Sequence, residues 1–196
     1  PGWLGGLPLG IKDLLPVKGV RTTFGTIGHK DFVPDASDPL VERLAARGGI
    51  VVGKTNTPEM GAGANTFNEV FGRTLNPWDT RLSAAGSSGG AAVAVATGMA
   101  HIAQGSDNAC SLRYPASFCG IVGLQPSPGI VPKGPSPLPH QVLSVIGPLA
   151  GSVADAGLGL DAMARFDARD PRSRPLCAGS YRAAAEAPEM PARAAF

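Results

Sequence analysis

Cysteine is scarce in this sequence, with only Cys110, Cys119 and Cys177 among 196 residues. Three cannot all pair within one chain, and none sits in a CxxC or Cys/His arrangement, which argues against a disulfide framework and against a metal site. A reducing, cytoplasmic setting is the expectation. An excess of charge of one sign is missing too. Seventeen basic against 15 acidic residues leave a net charge of +2, and no run of five like charges offers nucleic acid or a membrane surface a docking tract. Long apolar runs are absent: nothing reaches the roughly 18 uninterrupted apolar residues that cross a bilayer, and no basic segment leads into an apolar one at the N-terminus. The three histidines, His29, His101 and His140, have no evident acidic partner in sequence.

What is present suits one globular domain or part of a larger one, with 43% hydrophobic and 16% charged residues. The chain opens on Pro1-Gly2-Trp3 without a methionine and soon enters strand-like residues, so it reads as a fragment. We expect a partial domain over 1–172 and an irregular or incomplete segment over 173–196, where Ala178 to Phe196 shows no structural period. Leu7 to Leu15 is a strand candidate carrying Lys12. Asp38 caps an expected helix with Pro39 at its first position, an apolar face of Leu40, Val41 and Leu44, and a stop at Gly48-Gly49. Ile50 to Val52 has the pattern of a buried strand, Ala91 to Met99 that of a buried, alanine-rich helix, and Ile121 to Leu124 that of another strand. A Pro/Gly-rich stretch follows from Pro126 to Pro139. A last helix is capped by Ser152 and faces inward with Val153, Ala156, Leu160 and Met163. Strands alternating with helices predict an α/β protein with a mixed or parallel sheet.

Two motifs match familiar patterns in the wrong surroundings. Gly48 to Thr55 satisfies G-x-x-x-x-G-K-[ST], but a phosphate loop follows a strand and opens a helix, whereas here the apolar strand lies inside the motif and Asn56-Thr57-Pro58 follows it. Gly86-Ser87-Ser88-Gly89-Gly90 fits G-x-S-x-G, which would make Ser88 a nucleophile, yet Arg81 to Ala85 is a poor strand to precede such an elbow. Because triad members can lie far apart in sequence, a Ser-His-Asp arrangement built on Ser88 stays an alternative.

A third set of segments belongs together. Leu7-Pro8-Leu9-Gly10-Ile11-Lys12-Asp13, Gly53-Lys54-Thr55-Asn56, Gly86 to Gly90, and Gly105-Ser106-Asp107 through Ser111-Leu112-Arg113-Tyr114-Pro115-Ala116 resemble successive blocks of the amidase signature family. The likeness continues through Phe118-Cys119-Gly120, Gly123-Leu124 and Ser144 to Pro148, and covers roughly residues 5 to 172. It implies a mixed, largely parallel central sheet flanked by helices. It also implies a Ser-Ser-Lys triad of Lys12, Ser87 and Ser111, with no metal or organic cofactor.

The chemistry is coherent without histidine. A serine hydroxyl is a weak nucleophile until a neighbour takes its proton, and a lysine does so only when neutral, a state that burial favours. Ser87 would relay the proton of Ser111 to Lys12, and the same route would return one to the departing amine. The family resemblance puts an oxyanion hole at Asn108, Ala109 and Cys110, where a glycine normally stands at position 110. A side chain there is costly if the backbone is left-handed. Cys110 as the nucleophile itself lacks a nearby histidine in sequence. Ala84-Ala85 also departs from the Pro-Gly or Gly-Gly that usually precedes the serine block. Asp107 and Arg113 are expected to pair and shape the loop, and Ser88 to cap the helix that follows it. The expected partner is a small-molecule amide, with a homodimer admissible and no direct nucleic-acid or membrane contact. Ser111-Leu112-Arg113 and Val131-Pro132 lean toward a stand-alone amidase over the A subunit of a tRNA-dependent amidotransferase. Against both stands an inactive amidase-like remnant.

Overall fold

The computed structural model describes residues 1–134, 138–176 and 179–189. Cys177, residue 178, residues 190–196 and the centre of the Pro/Gly-rich stretch lie outside the described residues. In chain order the strands are β1 (Pro8–Lys12), β2 (Ile50–Thr55), β3 (Phe67–Asn68), β4 (Gly72–Arg73), β5 (Ile102–Asp107), β6 (Val122–Gly123) and β7 (Val145–Ala150). The helices are α1 (Pro39–Ala46), α2 (Gly89–Ala96), α3 (Arg113–Cys119), α4 (Val153–Met163) and α5 (Tyr181–Glu186). Five strands form one sheet in the order β2-β1-β5-β7-β6, and β3 pairs with β4 as a small hairpin. β1 runs parallel to β2 and β5, whereas β7 is antiparallel to both β5 and β6. The mixed, largely parallel sheet expected from the sequence is therefore present.

Alternation along the strands sends side chains to two separate cores. Leu9, Ile11 and Ile102 pack with Leu40 and Leu44 of α1 and with Leu160 and Met163 of α4. Ala103 and Leu149 pack with Ala91, Ala92 and Val95 of α2 and with Ala116 of α3. Helices thus cover both faces. The α1 signals behave as expected: Asp38 Oδ1 accepts from the Leu40 N–H at 2.8 Å, and the chain leaves the helix through Gly48 at φ 81°.

Two expectations need correction, and two strands were not foreseen. β2 is an edge strand, and its Ile50 and Val52 are 56% and 55% exposed, because an apolar run specifies a strand but not whether a neighbour covers it. α4 does not bury one stripe. Its Ser152 cap holds, with the hydroxyl accepting from the Asp155 N–H at 3.1 Å, but Val153 is exposed and Ala156 to Met163 are buried on all sides. Glycines allow that closeness: a Cβ at Gly157 would lie 2.8 Å from the Tyr181 carbonyl oxygen, and one at Gly159 would lie 2.8 Å from Pro148 Cβ. Finally, β5 and β7, which lie side by side within the sheet, carry Gln104, Ser106, Gly147 and Pro148, which mask their strand character in sequence. Helix α5 likewise forms within the segment that showed no period.

Candidate active site

The candidate site sits at the carboxyl ends of the parallel strands β1 and β5, where α/β sheets commonly place their ligands. Lys12 is the last residue of β1 and is 0% exposed. Its backbone N–H donates to Gln104 Oε1 at 3.1 Å, so β5 fixes the strand end from the side. Gly105 leaves room for the Ser88 hydroxyl and the packed leucines beside it, since a Cβ there would fall 2.9 Å from Ser88 Oγ and 2.7 Å from both Leu112 Cδ2 and Leu149 Cδ1. Ser87 and Ser88 lie at the entrance to α2, with a cis peptide between Gly86 and Ser87, and Ala85 stands at φ 55°. Thr66 secures this entrance by donating its hydroxyl to the Ala85 carbonyl at 2.9 Å and accepting from the Gly89 N–H at 3.0 Å.

Lys12 Nζ donates to Ser87 Oγ at 2.7 Å, Ser88 Oγ at 2.9 Å and Ser106 Oγ at 3.0 Å. Burial lowers its pKa to about 7, against the opposing attraction of the Asp107 carboxylate. A substantial share of the lysine is therefore neutral near neutral pH and able to accept a proton. Ser88 is corrected here: its side chain makes no capping bond and belongs to the lysine network instead. A hydroxyl at a helix start is ordinarily a cap, but this one is turned back toward β5, where it donates to the Ser106 carbonyl at 3.2 Å.

The loop after β5 is organised by Asp107, which is fully buried. Its Oδ1 accepts from the Cys110 N–H at 2.8 Å, and its Oδ2 accepts from the Leu112 N–H at 3.1 Å. Arg113 adds a two-pronged contact through Nε at 3.0 Å and Nη2 at 3.2 Å, the expected ion pair. Burial pushes the Asp107 pKa up, but the bonds from Arg113, Leu112 and Cys110 together outweigh it and hold the carboxyl below its ordinary value. Cys110 is at φ 73°, the left-handed conformation anticipated from the glycine usual at this place. Its N–H is already committed to Asp107, which removes it from the expected oxyanion set. Among the described residues, the N–H groups of Ala109 and Ser111 have no acceptor. Asn108 is exposed and its Oδ1 accepts from Gln141 Nε2 at 3.1 Å.

Ser111 is half-buried beside this loop, and its carbonyl accepts from the Ser88 N–H at 3.3 Å. Its hydroxyl makes no hydrogen bond among the described residues, so Lys12 and Ser87 are joined in this structure while Ser87 and Ser111 are not. A cavity of about 370 Å³ opens next to Asn108, lined by Gln125, Pro126, Val142 and Leu143 among others.

The rival motifs dissolve in three dimensions. Gly53-Lys54-Thr55 lies within β2, and Lys54 Nζ is held by Asp13 Oδ1 at 2.7 Å and Thr22 Oγ1 at 2.9 Å, which leaves no phosphate loop. Among the described residues His101 does pair with a carboxylate, Asp155, at 3.3 Å, but at the start of β5 and so at the opposite end of the sheet from Ser88. No group of three or more His, Cys, Asp or Glu that could hold a metal occurs among the described residues, and none of their helices is long and apolar enough to cross a membrane. Sequence reasoning missed Ser106 and Gln104 as site residues. Ser106 carried a usable signal, a polar side chain within the Gly105-Ser106-Asp107 block already singled out, whereas Gln104 lies just outside that block.

The family model described as Amidase matches residues 1–196. The A subunit of a glutamyl-tRNA(Gln) amidotransferase from Cyanothece sp. is 45% identical over 172 residues, 88% of this chain and 36% of that protein. An acylamidase from Rhodococcus erythropolis is 43% identical over 180 residues, 92% of this chain and 38% of that protein. The structure of 6-aminohexanoate cyclic dimer hydrolase complexed with substrate superimposes with a TM-score of 0.85 at 35% identity, covering 90% of this chain and 38% of that one. This chain spans little more than a third of the length of such relatives. With a family model matched from end to end and this identity across most of its residues, the chain belongs to the amidase family.

Proposed function

We propose that this chain carries the reacting groups of an amide hydrolase, with Ser111 as nucleophile, Ser87 as proton relay and Lys12 as base. The observation that carries the proposal is the buried Lys12 Nζ held 2.7 Å from Ser87 Oγ with its pKa lowered to about 7. Ser111 Oγ attacks the amide carbonyl while its proton passes through Ser87 to Lys12. The C–N bond then breaks, and the same route returns the proton to the leaving nitrogen, which departs as amine or ammonia. Water attacks the acyl-Ser111 ester and gives its proton to the relay, which returns it to Ser111 Oγ as the C–O bond breaks and the acid leaves. The free N–H groups of Ala109 and Ser111 suit the carbonyl oxygen as negative charge grows on it. The relay requires a Ser87–Ser111 hydrogen bond that this structure does not make.

Release of amine or ammonia from a panel of simple amides tests this. Wild-type turnover that falls about 100-fold or more in both Ser111→Ala and Lys12→Ala supports it. Turnover that survives Ser111→Ala, or none by the wild type on any amide, counts against it and favours an inactive amidase-like remnant.

A second reading has comparable support from kinship. The amidotransferase relative is as similar to this chain as the acylamidase, so the sequence preference for a stand-alone amidase gains nothing from the comparison. On this second reading the ammonia comes from glutamine, and its release requires a protein partner.

A further inference from the structure

We propose that Ser88, with Ser106 beside it, is a positioning residue that fixes the direction of protons around Lys12 and turns the lysine's lone pair toward Ser87. The inference rests on the reading of Lys12 as base. A serine hydroxyl has one proton to donate and two lone pairs to accept with. Ser88 uses all three: its proton goes to the Ser106 carbonyl at 3.2 Å, and it accepts from the Ser106 N–H at 3.3 Å and from Lys12 Nζ at 2.9 Å. It is 0% exposed, so water offers it no substitute partner. Toward Lys12, Ser88 is an acceptor in every protonation state.

This constraint has a chemical consequence. The ammonium form of Lys12 has three N–H donors for three hydroxyl oxygens, which matches the geometry at Ser87, Ser88 and Ser106. When the proton leaves, one of the three contacts must reverse so that a hydroxyl donates to the nitrogen lone pair. Ser88 cannot reverse without abandoning the Ser106 carbonyl. The remaining N–H and the lone pair are divided between Ser106 and Ser87, and the shorter contact, 2.7 Å, is to Ser87. Ser106 Oγ takes the second N–H, and the lone pair faces the relay serine.

The charged groups around Lys12 are few. β5 contributes Asp107, which Arg113 of α3 neutralises in part, and the next residue of the chain, Asp13, is paired with Lys54 of β2. Helix α2 carries no titratable side chain. The Asp107 carboxylate favours the buried ammonium form by its charge, and the three hydroxyl oxygens give its N–H groups acceptors.

The test follows the Lys12 methylene resonances by NMR in protein labelled with ¹³C-lysine, assigned with Lys12→Arg, alongside the pH profile of Ser111 labelling by a fluorophosphonate. Ser88→Ala removes an acceptor that favours the ammonium form, so the Lys12 midpoint should fall by about one pH unit. The labelling rate on the alkaline plateau should drop roughly tenfold because the lone pair is no longer directed. Ser88→Thr keeps the hydroxyl and should restore both, and Ser106→Ala should lower the midpoint in the same direction. A folded Ser88→Ala, judged by circular dichroism, whose midpoint equals that of wild type would overturn the proposal, even if its labelling is slow. If the midpoints shift as expected but wild-type Ser111 never labels, the positioning role stands and the amidase reading fails instead.

Discussion

Cys110 and Asp107 are joined by a hydrogen bond of 2.8 Å from the Cys110 N–H to Oδ1, and this bond bends the chain just ahead of Ser111. The same carboxylate receives the Leu112 N–H and the Arg113 guanidinium, so one buried side chain sets the path of the whole loop. Asp107→Ala strands the buried Leu112 N–H and releases the N–H of the exposed Cys110, and should destabilise the fold by about 2 kcal/mol. Arg113 is 46% exposed, and Arg113→Ala should cost much less, because solvent screens the ion pair. Urea denaturation of both variants distinguishes the two roles; equal losses would mean that the ion pair, not the backbone bonds, sustains the loop.

Lys12 should make stability depend on pH. Its pKa is about 7 folded against 10.5 as a free side chain, so between these values the unfolded chain holds a proton that the folded one has lost. The cost of the buried charge is in full force below about pH 7 and is relieved as pH rises toward 10.5. Wild type should gain stability between about pH 7 and 9.5 relative to Lys12→Met by roughly a few kcal/mol. Parallel urea midpoints for the two proteins would contradict the lowered pKa.

Cys110→Gly relieves a left-handed backbone that costs a residue with a Cβ roughly 1–2 kcal/mol. Glycine returns part of this through its greater freedom in the unfolded chain. The net expectation is a stabilisation of about 0.5–1 kcal/mol, read from the urea midpoint. A destabilised variant would show that the Cys110 side chain makes contacts worth more than the strain.

Gly90 lies where α2 meets the loop after β2. A Cβ there would fall 2.3 Å from the Asn56 backbone nitrogen and 2.7 Å from its carbonyl oxygen, and backbone cannot step aside as a flexible side chain does. Gly90→Ala should destabilise by about 3 kcal/mol and displace the Ser87–Ser88 entrance. Thermal unfolding measures the first effect; wild-type stability would mean that the helix can shift without cost.

Elements with strong local signals were legible in the sequence. Asp38-Pro39 and Ser152 announced α1 and α4 because capping is decided within a few residues. β5 and β7 were not legible, because Gln104, Ser106 and Pro148 are explained only by what lies across the sheet. In the site, the resemblance brought Lys12 and Ser87 forward, and they lie in contact. The direction of the Ser88 hydroxyl could not be read, since it depends on Ser106, eighteen positions away. Nor could the use of the Cys110 N–H by Asp107, which takes a donor from the oxyanion set that the family pattern suggested. The exposure of β2 was hidden for a similar reason: burial on one face depends on layers that a short window of sequence does not contain.

On the reading proposed above, Ser111 is a nucleophile activated through Ser87 by a neutral Lys12. Fluorophosphonate labelling with the adduct located by mass spectrometry tests it most directly, in wild type, Ser111→Ala, Ser87→Ala and Lys12→Ala. A single adduct on Ser111 is expected, absent in Ser111→Ala, strongly slowed in the other two variants, and faster above about pH 7 than below it as Lys12 loses its proton. An adduct elsewhere, or labelling of Ser111 at an unchanged rate without Lys12, would contradict it.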